Sequence, residues 1–131
     1  MNVHEGPQGL ASVPRSDYSG GLIEGMTITD EPGYYEDGAF GIRIENVLFV
    51  KRADSLPCSF GGDGVWMEFT PLTCVPISTR MIFPGQLSSR EKTWLNSYNA
   101  WVLGALGPLL SVREADKASL AWLVKETAPV L

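Results

Sequence analysis

Residues 29–47 read TDEPGYYEDGAFGIRIENV, and the fold of the first half of the chain turns on them. Gly25 to Asp30 (GMTITD) alternates and is β-branched, which predicts a strand. Glu31-Pro32-Gly33 ends it, because proline has no N–H to give to a ladder and glycine permits a turn. Gly38 and Gly41 keep the connection loose, and Ile42 to Lys51 (IRIENVLFVK) predicts the strongest strand of the chain. Paired as an antiparallel hairpin, opposed residues have Cα atoms only about 4.5–5.5 Å apart. Glu31 and Glu45 lie on either side of the turn and can then converge on one face. Glu45 sits among Ile44, Val47, Leu48 and Phe49, where an uncompensated carboxylate costs roughly several kcal/mol if buried. Arg43, two residues away, shares its face of the strand. The compensating charge is Arg43, a metal, or both; on these residues alone a Glu beside an Arg on a strand reads first as an ion pair on a wet face, and metal binding is the alternative.

Working outward, Val65 to Phe69 predicts a third strand and Leu72 to Ile77 (LTCVPI) a fourth, with Pro76 at its edge or end. Gly61, Gly62 and Gly64 mark the turn before the third. The pattern then changes period. Ser88-x-x-Glu91 is a capping-box pattern, and Trp94, Leu95, Tyr98, Trp101, Val102 and Ala105 follow at helical spacing. Gly107-Pro108 is expected to stop that helix, Ser111-x-x-Glu114 to open a second, and Pro129 to lie beyond its end. Strands first and helices after make an α+β chain, with a boundary expected between 1–82 and 83–131.

Composition narrows the function classes. Of 131 residues 44% are apolar and 19% charged, enough for a packed core and too few charges for a disordered chain. The net charge of -5 speaks against a nucleic-acid partner, which calls for a basic face. The longest apolar stretch, Ala100 to Leu110, is broken by two glycines and a proline and is too short to cross a bilayer. The polar opening MNVHEGPQG has no apolar signal-peptide core. Cys58 and Cys74, the only cysteines, read as reduced thiols of a cytosolic protein. His4, the only histidine, precedes the rigid Glu5-Gly6-Pro7. It is either an ordinary loop residue or an imidazole placed to move a proton beside a metal-bound water.

Four segments in order, NVHEGPQG (2–9), GMTITDEPGYYEDGAFGIRIENV (25–47), FTPLTCVPISTRMI (69–82) and WLNSY (94–98), resemble the end of a cytosolic Xaa-Pro aminopeptidase, aminopeptidase P of the pita-bread metallopeptidase family. The resemblance implies the C-terminal half of a pita-bread fold: a curved, mainly antiparallel sheet followed by two C-terminal helices. It implies a dinuclear centre, usually manganese (Mn2+), held by two Asp, one His and two Glu. Glu31 matches the first of those glutamates and Glu45 the second, which bridges the two metals. His4 matches a histidine that contacts substrate and helps shuttle protons, and Arg43 an arginine that lies near the bridging carboxylate, outside the ligand set. The implied reaction is hydrolysis of the bond between an N-terminal residue and a following proline, with Glu31 accepting a proton from the attacking water and His4 stabilising the oxyanion. Thr70 departs from the family's usual glutamate at that position.

The same pattern puts both aspartates and the ligand histidine upstream of VHEGP, and Met1 stands three residues before His4. A fragment is therefore expected that binds manganese weakly and is inactive alone. Two rival readings are a non-catalytic pita-bread binding module and a dimerisation element built on Trp94, Trp101 and Trp122, residues that otherwise pack on the sheet. The intact enzyme is expected to be a cytoplasmic homodimer acting on peptides with proline second, with no nucleic-acid or membrane partner.

Overall fold

A computed structural model describes residues 8–9, 20–53 and 65–131. The chain divides into two compact units between Thr73 and Cys74.

Among the described residues, every strand pairing of the first unit is antiparallel. Strands β1 (Thr27–Asp30), β4 (Asn46–Arg52) and β5 (Met67–Pro71) form one sheet in the order β1-β4-β5. Strands β2 (Gly33–Glu36) and β3 (Phe40–Arg43) form a separate pair. Asp30 faces Asn46 in the first ladder and Gly33 faces Arg43 in the second. Two residues separate these positions on each side, so both ladders share one register. The long hairpin is interrupted only at Glu31-Pro32 and Ile44-Glu45. Proline is the cause: Pro32 has no N–H to donate, and the one bond left there runs from the Ile44 N–H to the Pro32 carbonyl at 3.2 Å. The strand expected from Ile42 to Lys51 is therefore two strands. The connection expected to be loose holds β2, closed by a turn in which Gly38 takes φ of +71° and the Ala39 N–H donates to the Glu36 carbonyl at 3.0 Å.

Gly25, with φ of +92°, delays the first strand to Thr27. Its N–H donates to Val50 in β4, the middle strand, and Val50 is fully buried with Ala53 nearly so. The fourth strand expected at Leu72 to Ile77 does not form. The Leu72 and Thr73 N–H groups both reach the Val47 carbonyl, at 2.8 and 3.4 Å, while the Thr73 hydroxyl accepts from the Val47 N–H at 2.8 Å. These bonds close the ladder.

The second unit packs Ile77, Leu95, Tyr98, Val102 and Leu123 into one core. Helix α1 spans Ser89–Leu110 and α2 spans Lys117–Glu126. The capping box forms as the sequence predicts: the Ser88 hydroxyl accepts from the Glu91 N–H, and the Glu91 carboxylate accepts from the Ser88 N–H at 2.8 Å. Pro108 does not stop α1, which continues to Leu110. Ser111 caps its end and does not start α2; a 3₁₀ turn at Glu114–Asp116 leads into α2 instead. The stretch after Cys74 is held by side chains where no strand is available. Tyr98 donates its hydroxyl proton to the Val75 carbonyl at 3.0 Å. Asn99, 1% exposed, donates to the Ile77 carbonyl at 3.1 Å and accepts from the Ile77 N–H at 2.9 Å. Asn96 clamps Val130 by the same pair of bonds, at 3.0 and 2.9 Å. Glu126, 6% exposed, is paired with Arg80 at 2.6 Å.

Asn99→Ala leaves the Ile77 N–H and C=O without partners, and should lower the stability of this unit by about 2–3 kcal/mol. The urea midpoint followed by tryptophan fluorescence measures the loss. The Ser88 side-chain and backbone hydrogen bonds lower the Glu91 pKa in the folded chain. A depressed carboxylate adds stability that is complete above the unfolded value, near 4.3, and is lost as pH falls through the folded one. Urea midpoints below pH ~4 should therefore fall less steeply in Glu91→Gln than in the wild type.

Candidate metal centre

The shared register sets Glu31 directly opposite Glu45. Bonded pairs alternate with non-bonded pairs along an antiparallel ladder, and Pro32 faces Ile44 as a bonded pair. Glu31 and Glu45 are therefore a non-bonded pair, the arrangement in which side chains approach most closely. Thr29, Glu31, Gly33 and Tyr35 share one face with their opposites Val47, Glu45, Arg43 and Gly41. The other face is largely apolar, with Tyr34 and Phe40 in ring contact at 5.9 Å.

Arg43 joins the two carboxylates. Its Nη1 forms a short ion pair with Glu31 Oε2 and stands 3.9 Å from Glu45 Oε2. The Thr29 hydroxyl donates to the other Glu31 oxygen at 2.9 Å. Arg43 is fixed from behind as well: its Nε donates to the Tyr35 hydroxyl at 2.8 Å, with the guanidinium 5.9 Å from the ring centroid. The hydrogen bond to Tyr35, and after it the charges of Glu31 and Glu45, raise the Arg43 pKa above its ordinary value.

Glycine makes room for this tyrosine. A Cβ on Gly33 would stand 2.5 Å from the Tyr35 hydroxyl oxygen, and one on Gly41 would stand 2.7 Å from Tyr35 Cδ1. The ring thus lies across both glycines, Gly41 directly opposite and Gly33 two residues back. Thr29 and Tyr35 were not singled out from the sequence. Their signal was present in strand parity, since each is an even number of residues from Glu31.

Of the sequence-derived site residues, the structure brings Glu31, Glu45 and Arg43 together. His4 and Cys58 lie outside the described residues. Asp30 faces away from the pair by strand alternation, and Asp37 is at the hairpin tip. Among the described residues no three His, Cys, Asp or Glu side chains gather as a metal site. The donor chemistry nevertheless suits a hard divalent cation. Two carboxylates converge, and the group now between them is itself a cation. They supply part of a coordination shell.

Comparison with known proteins places this geometry. Residues 1–52 match the model of metallopeptidase family M24, and residues 65–130 match that of the C-terminal region of peptidase M24. The chain belongs to the M24 metallopeptidase family. Probable Xaa-Pro aminopeptidase P of Coprinopsis cinerea is 44% identical over 99% of this chain and 20% of its own length. Aminopeptidase P1 of Lotus japonicus is 45% identical over 99% of this chain and 18% of its own. The crystal structure of X-prolyl aminopeptidase from Caenorhabditis elegans, described as a cytosolic enzyme with a dinuclear active site, superposes with a TM-score of 0.76 at 34% identity. It is covered over 20% of its length, and this M24 chain over 99%. The chain thus spans about a fifth of the length of the relatives it matches. Antiparallel strands followed by two helices are similar to the pita-bread fold of that enzyme, as the sequence led us to expect. No helix among the described residues is long and apolar enough to cross a membrane.

Gly41→Ala should displace the Tyr35 ring and free the Arg43 Nε–H, as Tyr35→Phe does by removing the acceptor. Proton exchange at Arg43 Nε, followed by NMR, should accelerate in both variants and remain slow in a control at Gly85, where an added Cβ meets nothing within 4 Å.

Proposed function

We propose that this chain supplies Glu31 and Glu45 to the dinuclear centre of an Xaa-Pro aminopeptidase, which removes an N-terminal residue that precedes proline. The observation that supports this reading is the direct opposition of the two carboxylates in one register, on one face. Glu31 and Glu45 would both hold the cation pair. Manganese suits such oxygen donors. When bound, a pair of divalent cations supplies Lewis acidity, polarising the scissile carbonyl and acidifying the attacking water. Glu31 accepts the proton of that water and can return it toward the leaving proline nitrogen. The Thr29 hydroxyl fixes the orientation of Glu31 in the ladder. His4 contacts the substrate and stabilises the developing oxyanion.

Two carboxylates are too few to hold a cation pair tightly, so activity belongs to a longer polypeptide and this chain alone cleaves nothing. In that enzyme residues 1–82 belong to the catalytic domain and 83–131 form a helical extension. The helical extension also serves a homodimer: Trp94, Trp101 and Trp122 are 58%, 41% and 50% exposed. The enzyme works in the cytoplasm on peptides with proline at the second position. The acidic balance of the chain speaks against nucleic acid.

A chimera tests the proposal: the matching fifth of the Caenorhabditis elegans enzyme is exchanged for this chain. It should bind two manganese ions per subunit, measured by elemental analysis, and cut Xaa-Pro peptides in preference to peptides without proline. Glu45→Gln in the chimera should lower kcat/KM on the order of 10²–10³-fold. A folded chimera whose activity and metal content ignore Glu45→Gln would contradict the assignment.

A further inference from the structure

We infer that Arg43 is a counter-ion arm that must let go of Glu31 before a divalent cation can take that carboxylate, so that this arginine restrains cation binding. The inference rests on the ligand roles proposed for Glu31 and Glu45 and extends to how their loading is regulated.

Three observations support it. First, Nη1 of Arg43 lies against Glu31 Oε2 and within 3.9 Å of Glu45 Oε2. The guanidinium fills the ground common to both carboxylates, where a bridging cation would have to stand. A unit positive charge at contact distance also opposes the approach of a second cation. Second, both Glu31 oxygens already have partners: Oε1 accepts the Thr29 hydroxyl at 2.9 Å and Oε2 holds the guanidinium, so a cation approaching from the Glu45 side meets the charged group and not the neutral one. Third, the arm has somewhere to stay when it withdraws. Its Nε is held by the Tyr35 hydroxyl at 2.8 Å, and the side chain is 39% exposed, so Nη1 can turn to solvent while Nε remains anchored. Gly33 and Gly41 keep the Tyr35 ring where that anchor requires it.

An arginine that only oriented the carboxylates would make the opposite prediction, because removing it would disorder the ligands and weaken binding. The sign of one substitution therefore separates the two roles. Mn2+ binding to the full chain is read from the loss of the free-ion paramagnetic resonance signal at constant ionic strength. Arg43→Met should bind about fivefold more tightly than the wild type or better, as expected for the loss of one competing ion pair. Glu45→Gln should weaken binding in both backgrounds. Equal or weaker binding by Arg43→Met, with Glu45→Gln still weakening it, overturns the restraint and leaves the ligand assignment standing. No effect of Glu45→Gln in either background removes the ligand assignment, and the restraint with it. A second measurement needs no variant. In the wild type titrated with Mg2+, the Arg43 Nε–H resonance should shift with the midpoint of cation binding yet stay protected from exchange by Tyr35. A resonance that stays in place as Mg2+ binds overturns the inference.

Discussion

The site depends on one register running unbroken through a proline. Pro32 removes a donor from the middle of a long antiparallel hairpin, and both flanking ladders stop there. The strands do not slip, because the Ile44 N–H still reaches the Pro32 carbonyl and equal numbers of residues cross the gap on each side. A slip of one residue would send Glu31 to one face and leave Glu45 on the other. The interruption itself is useful. It leaves Glu31 and Glu45 facing each other beside Arg43, which reaches both.

The electrostatics follow from that placement. Two carboxylates opposed on one face repel, and the structure answers with a cation fixed at three points: Glu31, Glu45 and the Tyr35 hydroxyl. Tyr35 reaches Arg43 only because Gly33 and Gly41 leave the face of β2 and β3 bare beneath its ring. The helical unit solves a different problem by related means. Its stretch after Cys74 has no strand partner, and Asn99 and Tyr98 on α1 supply the hydrogen bonds a sheet would have given. Satisfying the Ile77 amide and carbonyl with one buried side chain is as demanding as a ladder pair, and it fixes this stretch against the helix.

Much of this was legible in the residues, and the failures have physical causes. The strands at Thr27–Asp30 and Asn46–Arg52, the capping box at Ser88 and Glu91, and the meeting of Glu31, Glu45 and Arg43 follow from alternation and spacing. The break at Ile44-Glu45 was missed because its cause lies on the other strand: Pro32 is twelve residues before Ile44 in sequence and opposite it in space. Strand β2 was hidden by its glycine and its flanking turn residues, which read locally as a loop. Leu72 to Ile77 has the apolar content of a strand, and only the bonds to Val47 and Asn99 decide otherwise. Pro108 was read as a stop, yet α1 runs through it to Leu110. The four family segments supplied what periodicity cannot, the expectation that two glutamates meet over metal.

The claim that Glu31 and Glu45 act as one unit toward a shared cation is tested most directly by a double-substitution cycle. Mn2+ affinity is measured calorimetrically for the chain carrying Glu31→Gln, Glu45→Gln, both and neither. Shared ligands predict that either substitution alone removes most of the binding and that the second adds little. Independent, additive losses, or binding indifferent to both, would contradict it.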